Sequence, residues 1–299
     1  MAKKKVMLFI VEGPTDETSL STVLNRIFSS ATVKFQVIHG DILTRDFTSS
    51  DKIVVAVWAQ VKEFMGSIYR KSDICRIVHL TDMDGVFIPD DAVVENDTVE
   101  TDTPPYYTET QIQTPNRAGI LDRNQRKRNN IDRLSACPKV AGIPYSMYYF
   151  SLNLEHILHG RTNLSDWEKI RCAEEFDLKY GDDPDGFTLF MKESSFSVCD
   201  DYRSSWAFIK TELHSLERYS NFGIELPPLK TATLQPMIFI ANTAHLKCTA
   251  RIPYYLCHKH NDFRDLRSAS SLHGIAVRTK KQGFNVRLSP QAEQKCKPA

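Results

Sequence analysis

No long hydrophobic run occurs in these 299 residues. The apolar stretch that follows Met1-Ala-Lys-Lys-Lys5 is about six residues long, too short for a signal peptide or a membrane span. No later run approaches the ~18 residues a spanning helix needs. The expectation is a cytoplasmic protein without membrane contact. Cysteine gives no framework either. Cys75, Cys137, Cys172, Cys199, Cys248, Cys257 and Cys296 are scattered, odd in number and nowhere form Cys-x-x-Cys, which argues against structural disulfides and fits a reducing compartment. Cys248, Cys257, His258 and His260 could suggest zinc, but their spacing matches no standard finger. Excess charge of one sign is missing: 38 Lys and Arg against 37 Asp and Glu leave +1. Any affinity for nucleic acid must then come from local patches. There is no Gly-x-x-x-x-Gly-Lys loop, so nucleotide-driven control would have to come from another subunit. Internal repeats and low-complexity tracts are also absent. What remains, 41% hydrophobic and 25% charged, is the composition of a soluble globular protein with one large domain and additions, or two domains.

The chain organises itself around residues 6 to 16. Val6 to Val11 has the length and apolarity of a strand buried on both faces. Glu12 ends it, Gly13 and Pro14 break it, and Thr15 is placed to cap a helix with Asp16 in its first turn. That helix runs to Ser29, with Leu20, Val23, Leu24, Ile27 and Phe28 on its apolar face. A strand over 33–39 and a helix over 51–69 follow. His39 and Asp41 between them read as a polar turn. A third strand begins at Arg76 and ends in Thr81-Asp82-Met83-Asp84-Gly85. Asp82 and Asp84 share a face if the strand continues, or flank a turn if it stops. The order β-α-β-α-β predicts an α/β fold with a mostly parallel sheet and helices on both faces. Glu12, Asp82 and Asp84 then fall on one rim, the edge where open α/β sheets carry their sites. Three close carboxylates are costly unless a cation neutralises them, and hard oxygen ligands suit Mg²⁺ (or Mn²⁺).

This pairing resembles the Toprim domain, which carries a Glu after its first strand and an Asp-x-Asp after a later one. The matching residues are Glu12 in Val-Glu-Gly-Pro-Thr-Asp and Asp82 with Asp84 in Thr-Asp-Met-Asp-Gly, and the resemblance covers residues 5 to 160. Within that group the chain is most similar to the OLD-family (overcoming lysogenization defect) nucleases. The resemblance implies Glu12, Asp82 and Asp84 as catalytic residues. It also implies a two-metal site in which Asp16 and Glu155 join them. A late lysine near the metals is a further family feature, for which Lys192 and Lys210 are the candidates, though each reads better as a surface lysine. The activity implied is metal-dependent phosphodiester hydrolysis in DNA or RNA, in an effector of bacterial or phage-borne defence. Such effectors stand beside an ATPase sensor subunit, and a homo-oligomer is also open. A topoisomerase would need a tyrosine domain and a primase a template module, and the chain has room for neither. The alternative from another class is a non-cleaving Toprim-like module that holds Mg²⁺ or a nucleotide for regulation.

The remaining segments read as additions. Residues 89–116 form an acidic, solvated insertion with a small hairpin around Tyr106 and Tyr107, and its acids repel phosphate. From Arg123 to Arg133 the sign reverses. Arg123, Arg126, Lys127 and Arg128, with amides between, suit phosphate and sugar contacts, or form a solvated helix that offsets the insertion. A strand over 144–151 is followed at once by a helix carrying Glu155, capped by Ser151 or Asn153. Residues 161–228 read as a helical region packed on the 1–160 unit: a helix from Asn163 to Lys179, a turn at Gly181, then helices over 187–192 and 204–219. From 229 to 299 acids nearly vanish while Lys and Arg accumulate, giving a basic extension that is either a nucleic-acid-binding appendage or a plain tail.

Overall fold

The computed structural model describes residues 4–45, 51–100, 103–198 and 200–229. The chain divides into two compact units, Met1–Thr233 and Leu234–Ala299. The second lies outside the described residues, as do Cys199, the zinc candidates and the cations of the basic extension. Among the described residues no helix is long and apolar enough to cross a membrane.

The first unit is built on β1 (Val6–Val11), α1 (Pro14–Ile27), β2 (Thr32–Val37), α2 (Asp51–Met65) and β3 (Ile74–Asp82). Three short strands follow, β4 (Val93–Glu95), β5 (Tyr106–Tyr107) and β6 (Ile112–Thr114), and then the long α3 (Arg117–Ser135). β7 (Lys139–Val140) and β8 (Ile143–Phe150) complete the strands, and α4 (Leu154–His159), α5 (Asp166–Tyr180), α6 (Pro184–Glu193) and α7 (Tyr202–Ile209) complete the helices. The main sheet has five strands in the order β2-β1-β3-β8-β7. β1, β2, β3 and β8 run parallel, and only the edge strand β7 is antiparallel, joined to β8 by a tight turn. Ala141 and Gly142 take φ of +48° and +83° in that turn, the left-handed pair a two-residue hairpin requires.

The apolar run of β1 is sorted by its two-residue period. Val6, Leu8 and Ile10 face one core with Ile53, Val57 and Val61 of α2 and Ile131 and Leu134 of α3. Met7, Phe9 and Val11 face the other, with Leu20, Val23 and Leu24 of α1, Phe176 of α5 and Phe187 of α6. Burial on both faces is what an all-apolar strand needs. At 25 cal/mol per Å², each fully buried Leu, Ile or Phe contributes about 1.5–3 kcal/mol. The sheet is thus a rigid platform whose carboxyl rim carries the site.

Several elements differ from the sequence expectation. α2 stops at Met65 because Gly66 takes φ of +47°, a helix-ending conformation. The helix expected over 204–219 is only α7; Glu212 at φ of +51° cannot continue it, and Leu216 turns back to pack elsewhere. The basic helix is longer than expected at both ends. The insertion is not wholly solvated. Its hairpin of Tyr106–Tyr107 against Ile112–Gln113 forms, and β4 joins it in a three-stranded sheet. Ile88, Val93 and Ile112 bury against Leu152 and Leu216 in a third small core.

Candidate functional site

Glu12 leaves β1 at the carboxyl rim, one strand from Asp82 at the end of β3. The two are tied directly. Glu12 Oε1 accepts from the Thr81 hydroxyl at 2.8 Å and from the Asp82 backbone N–H at 3.1 Å. Asp82 Oδ1 in turn accepts from the Leu154 N–H at 3.1 Å, one of the unsatisfied donors at the start of α4. β3 does not continue past Asp82. Met83 and Asp84 donate their N–H groups to Phe150 and Leu152, and Asp84 takes φ of +49°, a left-handed position that Asp tolerates. The two aspartates therefore flank a turn. Asp16 caps its own helix by accepting from the Gly13 N–H at 3.0 Å. Gly13 is the N-cap and Pro14 the first helical residue, so Thr15 is not the cap. The Thr15 hydroxyl lies 3.4 Å from Glu155 Oε1 instead. Asn153 caps α4, and both Asp16 and Glu155 are buried.

These acids line one cavity of about 330 Å³, with Asn153, Asn163, Lys169, Pro104, Pro105 and Tyr107 around them. Burial pushes the Glu12 carboxyl well up, reinforced by Asp41 and Asp84. Burial and then the charges of Glu12, Asp16 and Glu155 push Asp82 well up. Burial and Glu155 lift Asp16 to about 7 against the pull of the Gly13 N–H. Asp84 goes the other way: burial alone would raise it, but Lys127 and Arg123 hold it below the usual carboxylate range.

Lys127 is the largest correction to the sequence reading. It is not a surface cation but completely buried, its ammonium 2.6 Å from Asp84 Oδ2 and 2.7 Å from Asp41 Oδ2. Burial would lower it; Asp41, Asp84 and Glu12 raise it well above the ordinary lysine value. The arginines beside it are also engaged with protein. Arg123 donates to the Asp84 carbonyl at 3.3 Å and lies 3.5 Å from the Tyr107 hydroxyl. Arg128 donates to the Val86 and Ile88 carbonyls at 2.6 and 2.9 Å. Arg126 donates to the Thr44 carbonyl at 3.1 Å and pairs with Asp122 at 2.6 Å. Helix α3 thus clamps two loops of the site: Lys127 is turned inward, and Arg123, Arg126 and Arg128, half-buried, spend donors on the protein's own carbonyls. Lys192 and Lys210 are not at the cavity either; they bond the Gly223 carbonyl and Asp132.

Sequence reasoning missed Tyr107 and Lys169, and it read Asp41, at the same end of the sheet as Glu12, as a polar turn. Asp41 Oδ1 caps the short 3-10 turn 42–44 through the Leu43 N–H, which frees its other oxygen for Lys127. Lys169 sits on α5, well beyond the last motif. The one available signal was Asn124, Lys127, Asn130, Ile131 and Leu134 at helical spacing, a buried face written mostly in polar residues.

Among the described residues no three His, Cys, Asp or Glu side chains are already drawn into a ligand set for a metal ion. The carboxylates share a cavity without closing onto one point. The donor chemistry still fits a hard divalent cation: carboxylate, hydroxyl and amide oxygens line the cavity, with no Cys or His among the described lining residues. Glu12, Asp16, Asp82, Asp84 and Glu155 are the residues that would hold it. No family model matches the chain, and no curated protein or solved structure is significantly similar to it.

Proposed function

We propose that this chain is a metal-dependent nuclease, resembling the OLD-type Toprim enzymes, that hydrolyses phosphodiester bonds in DNA or RNA with Mg²⁺ or Mn²⁺. One observation carries the proposal. Five acids from two strand ends and two helix starts line a single cavity, and three of them are held at raised pKa by burial and mutual repulsion. Such a cluster calls for a positive charge that the neighbouring side chains supply only in part. The placement of Glu12 after the first strand and Asp82 after the third agrees with what the resemblance implies. A defence role beside an ATPase follows from the same resemblance and is part of the proposal.

A divalent ion held there would supply Lewis-acid stabilisation of the phosphoryl group and lower the pKa of a water molecule toward neutrality. The chain's own residues would do the rest. Asp82, Asp84, Asp16 and Glu155 would hold the ion, and Glu12, hydrogen-bonded to the Asp82 N–H, would take the proton of the attacking water. Lys169 meets the anionic phosphate at the cavity wall. Pro104, Pro105 and Tyr107 form the part of the cavity wall that the insertion contributes.

A second reading, a module that binds Mg²⁺ or a nucleotide without cutting, is favoured by the Lys127–Asp84 pair, which occupies one acid of the set. A cleavage assay on duplex DNA, single-stranded DNA and RNA, with and without Mg²⁺ or Mn²⁺, separates the two. We expect metal-dependent cleavage that Asp82→Asn or Glu12→Gln lowers by about a hundredfold or more. Wild-type activity in both variants would put the chemistry elsewhere, and metal binding without cleavage would favour the regulatory module.

A further inference from the structure

We propose that Lys127 is a built-in cation standing where the resemblance implies one of two metal ions, so that the cavity takes a single exchangeable divalent ion on its Asp82–Asp16–Glu155 side. The inference rests on the metal site of the proposed nuclease and narrows it.

The first support is geometric. The Lys127 ammonium is fully buried and bridges Asp41 Oδ2 and Asp84 Oδ2 at 2.7 and 2.6 Å. Both partners are anchored to the helix that carries the lysine. Asn130 Nδ2 donates to the Leu43 carbonyl at 2.7 Å and Arg126 to the Thr44 carbonyl, which hold the turn bearing Asp41. Arg123 and Arg128 hold the carbonyls of Asp84, Val86 and Ile88, which fix the turn bearing Asp84. The ammonium therefore cannot leave without displacing two loops. It is as permanent a charge as a structural ion.

The second support is the distribution of charge. Among the described residues no ion pair joins a Lys, Arg or His to Glu12, Asp16, Asp82 or Glu155. Asp84 has Lys127 as a direct partner and Arg123 at its carbonyl. Negative charge without a direct ion-pair partner is thus confined to the side made by the β1 and β3 ends and the starts of α1 and α4, with Lys169 lining the same cavity. A divalent ion there is attracted by several carboxylates. One brought to Asp84 would meet an ammonium already within 2.6 Å of the same carboxylate and be repelled by it in a low-dielectric setting.

Direct measurement of ion stoichiometry tests this, using Mn²⁺ and the full-length chain in calorimetry and electron paramagnetic resonance. The expected result is one Mn²⁺ per chain, with isolated-ion spectra lacking the coupling of a close pair. Asp82→Asn should weaken binding more than a hundredfold. Asp84→Asn, which keeps an oxygen for Lys127, should weaken it less than tenfold. Lys127→Ala, if it folds, should admit a second Mn²⁺. Two ions in the wild type, or equal losses in the Asp82 and Asp84 variants, would overturn the built-in cation while leaving the nuclease proposal standing. A folded Lys127→Ala chain that still binds one ion would also overturn it. No Mn²⁺ binding at all would remove both.

Discussion

Half-buried Asp82 and fully buried Lys127 are charges with opposite consequences for the metal-free protein. Asp82 is crowded by Glu12, Asp16 and Glu155. Replacing it with Asn keeps the oxygen that accepts from the Leu154 N–H and removes one charge from the crowd. We expect Asp82→Asn to stabilise the protein in EDTA by about 1–2 kcal/mol. Lys127→Met does the reverse, since it strands Asp41 and Asp84 without their common partner; the expected loss is about 3–5 kcal/mol. Denaturant titrations of both variants measure the difference. A destabilised Asp82→Asn would mean that its carboxylate is better compensated than its neighbours indicate. The rim position of Glu12 and Asp82 was legible in the sequence because each ends a strand, where chain order alone places it. Lys127 was not, because its partners lie 43 and 86 positions away along the chain, at Asp84 and Asp41. A lysine flanked by Arg126 and Arg128 reads as surface.

At the scale of elements, the site depends on turns more than on strands. Asp84 and Gly85 both take left-handed φ, +49° and +67°, so the chain reverses at once after β3. A Cβ added at Gly85 would come within 3.2 Å of Ile112 Cδ1 and Leu216 Cδ1, where the small three-stranded sheet packs. Gly85→Ala therefore meets both backbone strain and crowding, and we expect it to cost about 1–3 kcal/mol. Thermal melting with and without Mn²⁺ checks this. A melting point equal to wild type would show that the turn can relax away from the small sheet. The insertion earns its place here. Read as a solvated acidic loop, it instead buries Ile112 under Gly85 and brings Pro104, Pro105 and Tyr107 to the cavity. Its apolar residues are too few and too irregularly spaced for a pattern to declare them core.

For the whole molecule, the uncompensated acids set a dependence on pH. Asp16 is raised from 3.8 to about 7, and Glu12 and Asp82 are raised well above their ordinary values. A carboxyl with a raised folded pKa binds its proton better folded than unfolded, so it destabilises as pH rises through the folded value. His79 and His156 act oppositely: burial lowers them to about 3 and about 4, and their contribution is lost as pH falls below 6.5. Asp84, held low, titrates only in acid. Asp16 holds its proton in the folded state between the unfolded value of 3.8 and about 7, so it favours the metal-free fold increasingly on acidification below about pH 7, by up to about 1.4 kcal/mol per pH unit, and Glu12 and Asp82 act in the same direction. The histidines oppose that gain below pH 6.5. Comparing wild type with Asp16→Asn separates the two, because the histidines are common to both. Denaturant midpoints of the pair from pH 8 to 5, in EDTA and in saturating Mg²⁺, measure it; wild type should gain on the variant as pH falls below 7 in EDTA and not in Mg²⁺, and identical EDTA profiles would contradict the crowding of the site.

By itself the sequence determined the parallel β-α-β frame, because six apolar residues from Val6 to Val11 can be satisfied only between two layers of helix. It also determined that Glu12 and Asp82 end strands of that frame, because period and chain-breaking residues are local properties. Only the tertiary structure decided which charges meet. The packing of α3 against the Asp41 and Asp84 turns converts a basic surface helix into the carrier of a buried counterion. Electrostatic pairing acts through space over a few ångströms, and no local pattern of residues records it.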